Sequence, residues 1–171
     1  MASLPPVDRP RDTFYALFLL QYLFTMALFD CQVWYPPSIV PTKLAETHAW
    51  YISHFGDPLM AQQPPWFRFL MLSELVYQIP AASYCVYALW NKSPKAPLQT
   101  LLLCAWGAVS TATCLYEFYF DTTMKLWQKQ QLGAMYGFYG LAFAVMAADM
   151  LLRIQKTISA AAAAGMEKKR R

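Results

Sequence analysis

Glu74 is an acidic residue within a stretch that otherwise has the composition of a membrane span, FLMLSELVYQIPAASYCVYALW at residues 69–90. Gln78 follows four residues later, on the same face of a helix, and Pro80 follows two residues after that. A charged side chain near the middle of a bilayer costs about 2.5–3.5 kcal/mol on insertion scales, so it needs a partner or a proton. Glu74 is therefore the first candidate for a functional side chain.

Asp30 ends the first apolar run of the chain, and antiparallel packing of the first two spans would bring it to the depth of Glu74. Two carboxylates that share a dry site cannot both be ionised comfortably. Our hypothesis is that Glu74 stays protonated and donates a hydrogen bond to ionised Asp30, which leaves one negative charge at the head of an apolar cavity. Such a site would attract a hydrophobic molecule with an amine or a hydroxyl group. The alternative is a hydrogen bond that holds helices together without any ligand.

The composition of the 171 residues is that of a membrane protein. Hydrophobic residues make up 57% and charged residues 14%, whereas soluble domains contain about 25% charged residues. The first apolar run could be a signal peptide, but no clear small-residue cleavage site follows it. We predict an all-α membrane protein with a bundle of four transmembrane helices. The uncharged segments of membrane-spanning length are residues 13–29, 75–91, 96–116 and 130–148.

The basic residues are distributed unevenly between the two ends of such a bundle. Four spans place both termini and the connection between the second and third spans on one side, where ten Lys and Arg residues lie, against four on the other side. By the positive-inside rule the basic side is cytosolic. Lys168 and Lys169 match a dilysine signal for retrieval to the endoplasmic reticulum (ER), and the alternative is a basic flank that contacts anionic lipid. We predict a multi-pass ER membrane protein with both termini cytosolic.

The connection between the first and second spans is too long for a simple turn. It contains an amphipathic segment between proline clusters, Thr42–Phe55, so we predict a lumenal helical connection that caps the mouth of the bundle. The turn signal GDPL follows, in which Asp57 can cap or anchor the segment. In the fourth span Gly133 and Gly137 indicate close helix packing, either within the bundle or at an interface. Pro80 predicts a kink in the second span.

Three stretches of the sequence together resemble the EXPERA family of four-span ER membrane proteins, on its sigma-2 receptor branch. The resemblance extends to the chain length, the span spacing, the lumenal connection and the basic tail. It implies a cytosolic N-terminus at residues 1–11, an EXPERA four-helix transmembrane domain at 12–157 and a basic cytosolic tail at 158–171. The stretches that carry it are FD at 29–30, WYISHFGDPLMAQQPPWF at 50–67 and ELVYQIP at 74–80.

The resemblance also implies a lumen-side pocket that binds sterols and cationic amphiphilic amines. Asp30 would contact the amine or hydroxyl group, Glu74 would be the protonated acid beside it, and Asp57 would support the lumenal loop. The family further implies homodimers and a role in cholesterol homeostasis, with a cholesterol-transport partner such as the Niemann–Pick C1 protein. The other pocket residues implied in this way are Gln78, Tyr22, Tyr51, Met60, Thr111, Tyr136 and Tyr139.

The sterol isomerases of this family need an acid and a base that move protons on the sterol ring. Their histidine and glutamates would correspond here to Glu74, Gln78 and Gln99, and because glutamine cannot titrate, the resemblance argues against isomerisation. Common catalytic and nucleotide-binding motifs are missing from the sequence, and its two histidines make a weak metal site. We therefore expect no cofactor, no metal and no nucleic-acid partner. The alternatives to sterol and amine binding are a Δ8–Δ7 sterol isomerase that uses Asp30 and Glu74 as its acid–base pair, and a structural or chaperone-like subunit.

Overall fold

The computed structural model describes residues 9–170, with side chains described for residues 10–166. Over these residues the chain is helical and contains no β-strand. Its elements are α1 Arg9–Leu28, a 3-10 turn Asp30–Trp34, α2 Thr42–Phe55, α3 Pro58–Gln62, α4 Pro65–Ser73, a π-helical turn Glu74–Gln78, α5 Ile79–Trp90, α6 Ala96–Phe120 and α7 Leu126–Arg170.

Four helical stretches of the described chain are long and apolar enough to cross a membrane: Pro10–Trp34, Pro65–Trp90, Ala96–Phe120 and Leu126–Met166. Large apolar side chains such as Phe14, Val109 and Phe138 are more than half exposed on their outer faces, as expected for surfaces that meet lipid. A helix satisfies its backbone polar groups within its own segment, which hydrocarbon requires. The chain is a multi-pass membrane protein, and the predicted fold class of four spans with a helical connection between the first two is confirmed.

Two close helix pairs form the body of the bundle. α1 packs along α5, and α6 packs along α7, whereas the backbones of α1 and α7 lie farther apart. In the α6/α7 pair, Gly107 faces the ring of Phe143, and a Cβ at position 107 would lie only 2.9 Å from Cδ2 of that ring. Gly140 approaches Thr111 in the same way, with a Cβ position 3.3 Å from Cγ2. Because Gly107 and Gly140 have no side chains, α6 and α7 can pack closely at these two positions.

Four charged side chains join α1 to α7 at the end of the bundle where α1 begins. Arg11 contacts Asp149 at 2.7 Å, and Arg153 contacts both Asp149 and Asp12. Asp12 is only 6% exposed, and an unpaired charge at such a position is strongly destabilising. The network therefore fixes this end of the two helices.

The first connection, residues 35–64, contains the predicted helix Thr42–Phe55 as α2. Gly56 ends α2 in the left-handed conformation with φ at 62°, which glycine adopts without steric cost. Asp57 then begins α3 as its N-cap, and its Oδ1 accepts hydrogen bonds from the backbone N–H groups of Leu59 and Met60. The GDPL signal thus encodes the end of one helix and the start of the next.

The second span changes its hydrogen-bonding pattern at Glu74. The N–H of Ile79 donates to the carbonyl of Glu74, five residues back, so residues 74–78 form a π-helical turn. Pro80 has no N–H to donate, and its ring crowds the carbonyl of the preceding turn. We predicted a kink from Pro80, and the structure shows the irregularity as a π-helical turn just before that residue.

The prediction of close packing at Gly133 and Gly137 is wrong within this chain. Apart from the adjacent residues and backbone of α7 itself, no described atom lies within 4 Å of a Cβ position at either glycine. The crossing of α6 and α7 falls instead at Gly107 and Gly140, because the ring of Phe143 and the side chain of Thr111 need space there.

α7 continues without a break across the predicted boundary between residues 157 and 158, to Arg170. Five consecutive alanines at residues 160–164 favour this, since alanine has the highest helix propensity. The division into a domain and a tail stays a prediction. The side chains of Lys168 and Lys169, on which the retrieval signal depends, lie outside the described residues, as does most of the predicted N-terminal segment 1–11.

Replacing Gly107 by alanine should lower the free energy of unfolding by about 1–2 kcal/mol. The new Cβ would stand within 3.0 Å of two carbons of the Phe143 ring, and that ring is buried and packed against Phe18 and Tyr22. Thermal unfolding of the purified protein in detergent measures the effect. Gly165→Ala in α7 is the matched control, since nothing lies within 4 Å of a Cβ position there, and it should be neutral or stabilising. Equal melting temperatures for the two variants would contradict the packing argument.

Candidate functional site

A cavity of about 190 Å³ lies among the spans, beside the π-helical turn. All four spans contribute to its walls, and α2 and α3 of the first connection also reach it. Protein ligand pockets usually occupy about 300–1,000 Å³, so this one is compact. Its lining is mostly apolar and aromatic and consists of Tyr22, Thr25, Phe29, Asp30, Tyr51, Met60, Phe67, Leu70, Met71, Glu74, Ser110, Thr111, Cys114, Met135, Tyr136 and Tyr139.

Asp30 and Glu74 are the two acids of this lining, and each stands where a regular helix stops. Asp30 begins the 3-10 turn after α1, and Glu74 begins the π-helical turn. Glu74 is 8% exposed, and its Oε2 atom has no hydrogen-bond partner among the described residues. The hydrogen bond to Asp30 that we predicted is therefore not made by this oxygen. The free oxygen belongs to a carboxyl group that borders the cavity, where a polar group that enters can meet both acids.

Gln78 is fully buried but is not part of the cavity lining. Its Oε1 atom accepts a hydrogen bond of 2.9 Å from the hydroxyl of Tyr22, which does line the cavity. The amide nitrogen of Gln78 has no partner within the described chain. The structure thus places Gln78 behind the wall, where it orients Tyr22, and not in the wall as the resemblance implied.

The remaining predicted pocket residues all line the cavity, although they come from five different helices. They are Tyr22 of α1, Tyr51 of α2, Met60 of α3, Thr111 of α6, and Tyr136 and Tyr139 of α7. Their contact with a ligand stays a prediction. Helical periodicity could have found several of the residues that we missed, since Thr25 and Phe29 continue the face of Tyr22 and Cys114 follows Ser110 by one turn. The missed residues are Thr25, Phe29, Phe67, Leu70, Met71, Ser110, Cys114 and Met135.

Asp57 holds the first connection against α7. It is fully buried, and its Oδ2 atom accepts hydrogen bonds from the hydroxyls of Tyr51 at 2.9 Å and Tyr136 at 3.0 Å. Burial, together with the negative charge of Asp57, raises the pKa of Tyr51, so that this hydroxyl stays a donor. Both tyrosines line the cavity and Asp57 does not. Asp57 therefore sets the position of two wall residues.

Gln99 lies far from the cavity. It is exposed near the start of α6, and Ser110, the first residue of α6 in the lining, follows about 16 Å farther along the helix. Position 99 therefore cannot belong to an acid–base set at this site, and our argument against isomerisation from Gln99 does not hold. Asp30 and Glu74 are the two carboxyl groups that line the cavity and could act there as acid and base.

The fold and the cavity define a class, a four-span helical membrane protein with an acid-lined intramembrane cavity beneath a helical connection. A family model described as EBP: EXPERA (EXPanded EBP superfamily) matches residues 43–150. This is more than half of the chain, and the chain belongs to the EXPERA superfamily. The match begins in α2 and ends in α7, so it includes Asp57 and Glu74.

Curated relatives with the name Sigma intracellular receptor 2 are similar to this chain. Identity is 25% over 122 residues to the protein of Macaca fascicularis, covering 71% of this chain and 62% of the relative. It is 26% over 120 residues to that of Homo sapiens, covering 70% and 61%, and 38% over 64 residues to that of Xenopus tropicalis, covering 37% of each. The chain thus spans about three-fifths of the length of the mammalian relatives that it matches. The resemblance seen in the sequence is confirmed.

Replacing Asp57 by alanine should lower the free energy of unfolding by about 2–4 kcal/mol, because it removes a helix cap and leaves two tyrosine hydroxyls without their acceptor. Thermal unfolding in detergent is the measurement. Asp121→Ala is the control, since Asp121 accepts hydrogen bonds from Thr123 in an exposed turn and should lose less than about 1 kcal/mol. Similar losses of unfolding free energy for both variants would contradict the structural role that we assign to Asp57.

His48 should make the protein less stable at mildly acidic pH. Its ring packs against Phe29 with 5.0 Å between the centroids, and burial lowers its pKa below the ordinary value. The unfolded chain then binds this proton more readily than the folded chain, so stability falls as the pH drops below about 6.5. The melting temperature should therefore fall further between about pH 7.5 and about pH 5 for the wild type than for His48→Gln. An equal fall in melting temperature for the wild type and for His48→Gln would show that groups other than His48 cause the loss of stability at low pH.

Proposed function

We propose that this chain is an ER membrane protein that binds sterols and cationic amphiphilic amines in the cavity and thereby takes part in sterol handling. The observation that carries the proposal is the pair of carboxyl groups, Asp30 and Glu74, in an intramembrane cavity whose other lining residues are mostly apolar and aromatic. The lining contains no Lys, Arg or His. A ligand with an amine or a hydroxyl group would supply the partner that the protein itself does not supply.

Electrostatics favour an amine at this position. A carboxylate within the hydrocarbon layer is costly when it stands alone, and a cation beside it compensates the charge with a charge-assisted hydrogen bond. We propose that Asp30 carries the negative charge and that Glu74, protonated, uses its partnerless oxygen to hydrogen-bond the same group. The hydroxyl of a sterol can take the same place as a neutral partner.

The apolar part of the ligand would contact the aromatic walls. Tyr22, Tyr51, Tyr136 and Tyr139 line the same cavity as the acids, and aromatic rings attract cations through their electron-rich faces. The cavity volume of about 190 Å³ is below the usual range for ligand pockets. A sterol-sized ligand must therefore widen the cavity or extend out of it between the spans.

Localisation and partners are part of the same proposal. Ten of fourteen basic residues on one side support cytosolic termini, and the C-terminal KKRR supports ER retrieval through Lys168 and Lys169. The relatives named as intracellular receptors support a receptor-like role. The uncovered surface at Gly133 and Gly137 is compatible with a homodimer, and a cholesterol-transport protein is the proposed partner.

Asp30→Asn should weaken the binding of a tritiated amphiphilic amine by roughly 10- to 100-fold, because it removes the charge that pairs with the amine. Glu74→Gln should keep most of the binding, since glutamine can still donate a hydrogen bond. Equilibrium binding to purified protein measures both, with cholesterol as the competitor. Asp121→Asn is the matched control, an acid outside the cavity lining, and should bind like the wild type.

Three results would contradict this proposal. Equal and small losses for Asp30→Asn and Glu74→Gln would overturn the charge assignment. Absence of binding to a well-folded wild type would overturn the binding function and leave the acids with a structural role. Conversion of a Δ8 sterol by pure protein, lost in Asp30→Asn, would establish the isomerase instead.

A further inference from the structure

The last turn of α4 leads directly into Glu74 and is held from two sides. On one side, the thiol of Cys31 at the end of the first span donates a weak hydrogen bond to the carbonyl of Met71, with 3.9 Å between sulfur and oxygen. On the other side, the indole nitrogen of Trp106 on α6 donates a hydrogen bond of 3.2 Å to the hydroxyl of Ser73. The first and third spans thus both contact the turn that precedes Glu74.

The hydrogen bond from Trp106 continues to the backbone of Glu74 itself. The hydroxyl of Ser73 donates to the carbonyl of Leu70 at 2.7 Å, and the backbone N–H of Glu74 donates to the same carbonyl. A hydroxyl can accept one hydrogen bond and donate another, and successive bonds of this kind strengthen one another. Leu70 and Glu74 line the cavity, whereas Ser73 and Trp106 do not. A chain of hydrogen bonds therefore joins α6 to the backbone from which Glu74 reaches the cavity.

Trp106 lies at a depth where an interfacial tryptophan is not expected. It follows Ala96, the first residue of α6, by ten residues, which is about 15 Å along the helix, whereas tryptophans of membrane proteins concentrate at the two interfaces. Hydrocarbon offers the indole N–H no acceptor, and Ser73 supplies one. Ser110, one helical turn after Trp106, lines the cavity. The bond from Trp106 to Ser73 therefore lies next to the cavity wall, on its outer side.

The direction of the Glu74 carboxyl group depends on the backbone that carries it. Its Oε2 atom has no hydrogen-bond partner among the described residues, so no bond from a neighbouring group fixes this oxygen. Residues 74–78 form the π-helical turn, which lacks the regular α-helical bonding pattern. The last regular turn of α4 therefore determines where Glu74 begins and how its side chain enters the cavity.

We propose that Trp106 is a positioning residue for Glu74, and that the hydrogen-bond chain through Ser73 sets the direction in which the Glu74 carboxyl group meets a polar group of the ligand. Without the indole N–H, the last turn of α4 keeps its contact with Cys31 and loses this hydrogen bond to α6. Glu74 can then turn away from the group that Asp30 binds. The inference rests on the proposed function, because it concerns how the two acids act on one ligand.

Equilibrium binding of a tritiated amphiphilic amine to the purified protein tests this role. Trp106→Phe keeps an aromatic ring and removes the N–H, and it should weaken binding about 2- to 10-fold. Ser73→Ala should weaken binding by a similar factor, and the double variant should match Ser73→Ala, because both changes break the same chain. Ser73→Thr keeps the hydroxyl and should bind like the wild type. Trp90→Phe is the matched control, since Trp90 is an exposed tryptophan at the end of α5 and outside the cavity lining.

A double-mutant cycle with Glu74 distinguishes positioning from a general loss of stability. In the Glu74→Ala variant, where Asp30 still supplies the charge, Trp106→Phe should leave Kd unchanged, because a residue that acts through another has no effect once the other is removed. An equal loss of binding with and without Glu74 would overturn the proposal. Unchanged binding in both Trp106→Phe and Ser73→Ala would also overturn it, and so would an equal loss in Trp90→Phe. Thermal unfolding shows that each variant is folded before its Kd is compared.

Infrared spectroscopy without ligand separates this inference from the proposed function. The band of the Glu74 carboxyl group is the one that Glu74→Gln removes from the spectrum, and a carboxyl group with one fixed direction gives a narrow band. Trp106→Phe and Ser73→Ala should broaden this band, whereas Ser73→Thr and Trp90→Phe should leave its width unchanged. An unchanged width in both Trp106→Phe and Ser73→Ala would overturn the positioning role. If the wild type does not bind the amine, the binding function fails, while the width of the band still decides whether Trp106 positions Glu74.

Discussion

The carboxylate of Asp57 is the point at which the connection between the first two spans is tied to the bundle. One oxygen ends the chain reversal at Gly56 by capping α3, and the other accepts hydrogen bonds from Tyr51 of α2 and Tyr136 of α7. The residue is fully buried, so its charge needs all of these donors. Because both tyrosines line the cavity, the same interaction that anchors the connection also shapes the cavity wall.

The two acids of the cavity stand at departures from the regular α-helix. Asp30 begins a 3-10 turn and Glu74 begins a π-helical turn, whereas the lining residues of α6 and α7 stand on regular helix. π-Helical turns occur frequently at functional sites. Here the turn precedes Pro80, which cannot join a regular hydrogen-bonding pattern. Both irregular turns thus lie where Asp30 and Glu74 line the cavity.

Different interactions hold the spans together in different parts of the bundle. Gly107 and Gly140 allow α6 and α7 to approach closely, and charged pairs fix α1 to α7 at one end. Beside the cavity, the ring of Tyr139 on α7 packs against Phe18 and Tyr22 of α1. The hydroxyl of Tyr139 also exchanges hydrogen bonds with the side chain of Gln21.

The sequence alone determined the four spans, the helix Thr42–Phe55, the turn at Asp57 and the family, because apolar run lengths, proline clusters and short capping motifs are local signals. Eight of the nine predicted pocket residues line one cavity. Asp30 and Glu74 were predicted from acids at the end of or within apolar runs, and the other six came from the resemblance, since no local rule brings α1, α3 and α7 together. Tertiary structure decided the rest. Gln78 faces Tyr22 because the π-helical turn alters the register of the second span, and Gln99 stands outside the cavity because α6 is long. α6 and α7 pack closely at Gly107 and not at Gly133, because Gly107 lies opposite the buried ring of Phe143. The spacing of glycines within one helix cannot show which side chain of the neighbouring helix lies opposite them.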